Sequence, residues 1–206
     1  MLDKISASIN RVDGTDKISG KAKYISDIHF KDQYYARTIR SAISKGQIES
    51  IDLPEIPEDY YIVDKHDIPA KNQMRTVESD NPIFADGEVN YIGQPILLVV
   101  GPDRETIADI ISDIKVHYKK EEPVFTINEA ESKNAILSDF NYTKGEPSEA
   151  FDKAARIITD QYETGFQEHV YIEPQGVTAV FREDKIFVFG SMQCPFYIQG
   201  ALEDVL

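Results

Sequence analysis

Apolar positions along this chain switch between two periods, and the switch marks its best-defined elements. Ile96-Leu97-Leu98-Val99-Val100 is unbroken, which predicts a short strand covered on both faces. Gly101-Pro102-Asp103 interrupts it, and Asp103 is placed to cap a helix running through Ser112. Ile107, Ile110, Ile111 and Ile114 then recur at helical intervals, a stripe suited to lying on a sheet. From there the period becomes two. Ile114, Val116 and Tyr118 alternate with Lys115 and His117, which predicts a half-exposed strand and completes a strand–helix–strand unit.

Ahead of this unit, residues 34–41, 48–53 and 60–63 are short β-prone runs. Residues 1–30 are polar and punctuated by Asp13-Gly14 and Ser19-Gly20, which predicts an extended arm. Residues 64–90, rich in Asp, Asn and Pro, read as a long loop, either functional or a plain surface connection. After the unit, residues 126–145 read as a connector. Residues 147–155 can form a short helix with Pro147 in its first turn, where a missing N–H costs least. A strand is expected at 156–162, and a hairpin from 176–181 and 185–189 around Arg182-Glu183-Asp184. Ile198, Ala201, Leu202, Val205 and Leu206 share one helical face. The chain stops on that stripe without a C-cap glycine, so a natural polypeptide continuing past Leu206 is expected.

Charge and composition narrow the function. A net charge of −14 argues against nucleic acid or an anionic membrane surface as the main partner. No apolar run approaches the roughly 20 residues of a membrane span, and no signal-peptide core opens the chain. Cys194 stands alone, so this stretch holds no disulfide framework, thiolate zinc site or iron–sulfur cluster, and the cytoplasm is the expected compartment. Cys194 itself reads as an inert small core residue.

One stretch concentrates the candidate chemistry. Gly165-Phe166-Gln167-Glu168-His169-Val170-Tyr171-Ile172-Glu173-Pro174-Gln175-Gly176 sets two carboxylates, a histidine and two amides beside apolar residues. Polar groups where surface should be buried need partners, at about 1–3 kcal/mol each if unmet. His169 and Glu173 would share a face only on a helix. The β-prone Val170-Tyr171-Ile172 and Pro174 predict an extended segment instead, with those side chains roughly 13 Å apart. No metal site is therefore expected, and Glu168, His169 and Glu173 read as structural. No nucleophile elbow and no glycine-rich nucleotide loop is present, so no catalytic residue is assigned.

The order of several motifs resembles the molybdenum-binding subunit of the xanthine dehydrogenase and aldehyde oxidase family. Arg11-Val12-Asp13-Gly14, Gly20-x-Ala22-x-Tyr24, Val89-x-Tyr91-x-Gly93-Gln94-Pro95, Gln167-Glu168-His169 with Glu173-Pro174, and Ser191-Met192-Gln193-Cys194-Pro195 all match its signatures. Residues 42–47 depart from it, because Ala42-Ile43-Ser44-Lys45-Gly46-Gln47 stands where the family usually carries Pro-His-Ala-His-Ala. The resemblance implies an α+β chain: an N-terminal arm at 1–16, an α/β hammerhead domain at 17–125, a connector at 126–145, and the first β-rich segment of a molybdopterin-binding domain at 146–206. It also implies that Gln167 approaches the molybdenum centre and hydrogen-bonds a ligand oxygen. A neutral amide donor suits that contact, since it orients the cofactor without adding charge.

By the same resemblance, the complete enzyme hydroxylates a purine-like heterocycle or an aldehyde with oxygen from water. Electrons pass from molybdenum–molybdopterin to iron–sulfur clusters and FAD on partner subunits or domains. The family's base-acting glutamate and Phe-Gly-Gly loop would lie in the remainder of the subunit, so this chain alone is expected to be inactive and to retain no molybdopterin. The alternative is a stand-alone, non-catalytic scaffold or assembly module derived from the hammerhead.

Overall fold

The computed structural model describes residues 7–74 and 81–206. Residues 1–6 of the expected arm and 75–80 of the expected long loop lie outside the described residues. The chain divides into two units, one built from the stretch up to Glu121 together with Ile172–Leu206, the other from Glu122–Tyr171.

In the first unit, β1 (Tyr35–Arg40), β5 (Pro95–Gly101) and β3 (Tyr61–Val63) form one antiparallel sheet with β5 in the middle. A second antiparallel sheet has the order β4 (Glu88–Val89), β2 (Gly46–Asp52), β6 (Lys115–Lys120). Strand β5 is covered on both faces, as its unbroken apolar run predicts: Ile96, Leu97 and Val99 are all buried. Helix α2 (Arg104–Asp113) follows, with the Asp103 Oδ1 accepting from the Thr106 N–H at 2.8 Å. Its Ile107 and Ile110 join Leu97 and Val99 in one core cluster, and each fully buried aliphatic side chain there stabilises by about 1.5–3 kcal/mol. The predicted strand–helix–strand unit is present, but its two strands belong to different sheets. Helix α2 spans the step between them, and β6 closes antiparallel against β2 over Gly46↔Lys120 to Asp52↔Lys115.

The family-like Gly93-Gln94-Pro95 signature has a structural role here. Gly93 sits at φ 87°, a left-handed conformation that glycine adopts at no steric cost. The buried Gln94 side chain accepts from the Asn90 N–H at 2.8 Å, while its backbone carbonyl accepts from the Ser41 N–H at 2.8 Å. The departure at residues 42–47 is accommodated locally. The Ser41 hydroxyl accepts from the Ile43 N–H at 3.1 Å, Ile43 is buried, and Gly46 opens β2 at φ 152°.

The expected extended arm contains helical turns instead. Gly14–Ile18 form α1, closed by the Lys21 N–H on the Asp16 carbonyl at 2.8 Å, and Ile25–Asp27 form a 3-10 turn. Local pairing decides this. Asp13 takes Arg11 at 2.5 Å and Lys17 at 2.7 Å, and the two contacts, Lys17 first, hold its carboxyl down at about 2.

The hairpin forms as predicted from β7 (Val177–Arg182) and β8 (Lys185–Gly190). Glu183 and Asp184 lie at φ 54° and 55°, the paired left-handed residues of a two-residue turn whose twist matches the strands. Helix α5 (Pro195–Val205) follows, but Cys194 ahead of it is exposed and makes no side-chain cap. The core position expected for that thiol is not found, because it lies in the irregular, largely exposed link between β8 and α5.

The second unit holds α3 (Ile127–Ser132) and α4 (Pro147–Asp152). Helix α3 replaces part of the expected connector. The Thr126 hydroxyl accepts from the Glu129 N–H at 3.2 Å and the Glu129 carboxylate reaches back to the Thr126 N–H at 3.2 Å, a reciprocal capping box. The strand expected at 156–162 does not form: this stretch is irregular and exposed, with no partner strand among the described residues.

Candidate functional site

Residues 153–176 carry no regular helix or strand, and that irregularity governs the segment singled out by its polar cluster. Gln167, Glu168 and His169 are exposed, not held among buried apolar groups as their setting in the sequence predicts. The Glu168 carboxylate accepts from the His169 N–H at 3.0 Å, a contact between chain neighbours that fixes only the local backbone. Val170 follows at φ 50°, a left-handed conformation in which a β-branched residue is strained. The Gln167 amide has no hydrogen-bond partner among the described residues.

The other end of the motif is anchored differently. Glu173, in the first unit, is half-buried, and its Oε1 accepts from the Ile25 N–H at 3.3 Å, across 148 positions of sequence. Nearby, a Cβ at Gly176 would stand 3.1 Å from the Ile25 Cγ2, and the Phe30 and Phe189 rings lie 5.8 Å apart. These contacts seat residues 23–30 on β8 and border an open cleft of about 560 Å³ whose lining includes Lys23, Glu173, Ser191 and Met192. Glu173 thus makes a structural contact, with a backbone amide that no spacing rule could have named. The Tyr24–Asp27 carboxylate contact at 2.9 Å, which closes the 3-10 turn, was equally unforeseen.

Among the described residues, no three His, Cys, Asp or Glu side chains converge in a way that could hold a metal ion. No described helix is long and apolar enough to cross a membrane. A molybdopterin group needs several converging donors for its phosphate and pterin oxygens. Gln167 offers the right chemistry, a neutral N–H donor, and it lies on exposed irregular backbone where no other donor converges with it among the described residues.

Comparison with known proteins is consistent with both halves of the chain. The family model "Aldehyde oxidase and xanthine dehydrogenase, a/b hammerhead domain" matches residues 19–122, and "Molybdopterin cofactor-binding domain" matches 127–206. The nicotinate dehydrogenase large molybdopterin subunit of Eubacterium barkeri is 30% identical over 95% of this chain and 49% of its own length. The xanthine dehydrogenase of Blastobotrys adeninivorans is 30% identical over 87% of this chain and 14% of its own length. In fold, quinoline 2-oxidoreductase from Pseudomonas putida 86 superposes with a TM-score of 0.77 at 17% identity, over 97% of this chain and 28% of that one. The chain thus spans half or less of the length of these relatives. With hammerhead and cofactor-binding models matched in tandem on an α+β fold, this chain belongs to the aldehyde oxidase and xanthine dehydrogenase family, whose members are molybdenum hydroxylases with a molybdopterin-binding domain.

Proposed function

We propose that this chain is the N-terminal part of the molybdenum-binding subunit of a xanthine dehydrogenase-like hydroxylase acting in the cytoplasm. The observation that carries the reading is the tandem match over residues 19–206, with Gln167-Glu168-His169 inside the second model. In the complete enzyme a purine-like heterocycle or an aldehyde is hydroxylated, with molybdenum–molybdopterin supplying the two-electron redox chemistry and iron–sulfur and FAD groups on partner subunits or domains receiving the electrons. The working boundaries are 1–16 for the arm, 17–125 for the hammerhead, 126–145 for the connector and 146–206 for the start of the cofactor-binding domain.

Within that enzyme Gln167 is the cofactor-contacting residue of this chain. Its amide donates to an oxygen of the bound group, and an uncharged donor orients that group without perturbing its charge. An exposed side chain with no partner among the described residues can make such a contact once the rest of the subunit is present. The 206-residue chain by itself is inactive and retains no molybdopterin.

The test has two arms. Reading the coding sequence past Leu206 and measuring molybdenum in the whole gene product should give a longer, metal-loaded subunit. A coding sequence that stops there, without bound molybdenum, leaves the scaffold module standing. In the metal-loaded enzyme, Gln167→Ala should lower turnover about 10- to 100-fold with hammerhead folding intact, and unaltered turnover removes Gln167 from the site.

A further inference from the structure

The β7–β8 hairpin carries large apolar side chains on both faces, with Thr178 and the exposed Arg182–Lys185 pair beside the turn as the polar members of one of them. Its register pairs Thr178 with Phe189 and Val180 with Phe187 on one face. That face is half-buried, with the Phe30 ring against Phe189. The opposite face carries Val177, Ala179 and Phe181, opposed by Gly190, Val188 and Ile186. Val177 is 67% exposed, Phe181 72% and Ile186 44%, so most of an entirely apolar face lies open. Strands buried on both sides read as continuous apolar runs, whereas strands with one wet face alternate. The outer face of this hairpin therefore has the composition of an interior surface, and a lone two-stranded ribbon is only marginally stable in water.

We infer that this outer face, centred on Val177, Phe181 and Ile186, is the surface on which a further portion of the same molybdenum subunit packs. The inference rests on the proposed function and assigns its unlocated intramolecular contact to a particular face. Two observations select this occupant. Relatives that match both halves of this chain have at least about as much additional sequence again, since it covers 49% and 14% of two of them. A second copy of the chain is disfavoured by charge, because each copy carries −14. The occupant presents an uncharged apolar face of its own, since a charge set against Phe181 and Val177 would be desolvated without a partner.

The experiment places a thiol at Phe181→Cys in a Cys194→Ser background and follows maleimide labelling in the 206-residue chain and in the subunit made from the whole coding sequence. A Leu53→Cys thiol on β2's flank, where Leu53 is 50% exposed, serves as the reference. Expected are fast labelling of both thiols in the short chain and, in the long one, slowing at 181 alone by at least about tenfold. A second site, Val177→Cys, guards against a fold-specific fault at 181 and should behave alike. Labelling at 181 and 177 that is as fast in a molybdenum-loaded long subunit as in the short chain overturns the docking face while leaving the proposed function standing. Absence of a longer subunit overturns both. Slowing that grows with concentration of the short chain, together with a dimer in sedimentation, assigns the face to a second copy and overturns the inference.

Discussion

The stretch from β1 to β6 and the stretch from Glu122 to Leu206 are similar in length but solve burial in opposite ways. The first wraps two antiparallel sheets and α2 around Leu97, Val99 and Ile107, all essentially without solvent contact. In the second, no residue is buried, although Phe140, Phe166 and Ile172 are as apolar as anything in the core. The contrast is one of partners, not of composition. Strand β5 finds β1, β3 and α2 within its own half, whereas the apolar residues after Glu122 find too few neighbours to close a core. One stretch closes a core of its own, and the other leaves its large apolar side chains largely exposed.

Substitutions can break that contrast. The largest expected effect is at Leu97→Ala, which leaves a cavity between β5 and α2 and should cost about 2–5 kcal/mol in chemical denaturation. The matching change Phe166→Ala removes a fully exposed ring and should stay within about 0.5 kcal/mol in this chain. Equal costs at the two positions would erase the distinction between the halves.

Next comes Gly46→Ala. A Cβ there would meet the Lys119 carbonyl oxygen at 2.4 Å, with φ at 152°, so the β2–β6 pairing must shift. We expect a loss of about 2–3 kcal/mol, read as a lower Tm of the hammerhead. Gly190→Ala probes the other half in the same way. Its Cβ would stand 2.9 Å from the Gly176 carbonyl oxygen, and a cost of about 1–2 kcal/mol is expected, with faster amide exchange confined to β7 and β8. Exchange that spreads into β5 would show that the halves do not unfold separately.

The smallest effect concerns acid. The Asp103 carboxyl is held below its usual value, first by the Tyr60 hydroxyl that donates to it and then by the Thr106 N–H. A carboxyl whose folded pKa is depressed contributes in full above its unfolded value, about 4, and loses that contribution as pH falls through the folded one. Amide exchange in the first turn of α2 should therefore accelerate below about pH 4. It should not do so at the start of α5, whose Cys194 cap position makes no side-chain bond and whose first turn has no acid. Asp103→Asn should flatten the α2 response, and a response that survives the change points to another group.

Much of the hammerhead half was legible from residue order because its signals are local. The Asp103 cap and the isoleucine stripe of α2 each involve residues a few positions apart, as does the Glu183-Asp184 turn in the other half. The capping box at Thr126 and Glu129 was equally local and was passed over, since the surrounding polar run looked like a connector. The strand expected at 156–162 had the right residue types, but a strand exists only where another pairs with it, and none does among the described residues. The polar cluster around Gln167 misled in the same way: Val170, Tyr171 and Ile172 implied burial, and burial depends on what packs above them.

By itself, then, the order of residues determined the period of each element, its caps and turns, and the family motifs. All of these are set by backbone sterics and hydrogen bonds within a few residues. Tertiary structure alone decided that β5 and β6 join different sheets, that Tyr35 lies opposite Gly101, and that Glu173 reaches the Ile25 amide. Such contacts require closing loops of tens to over a hundred residues. Their choice depends on the total surface that the folded chain can bury, a quantity no local window contains.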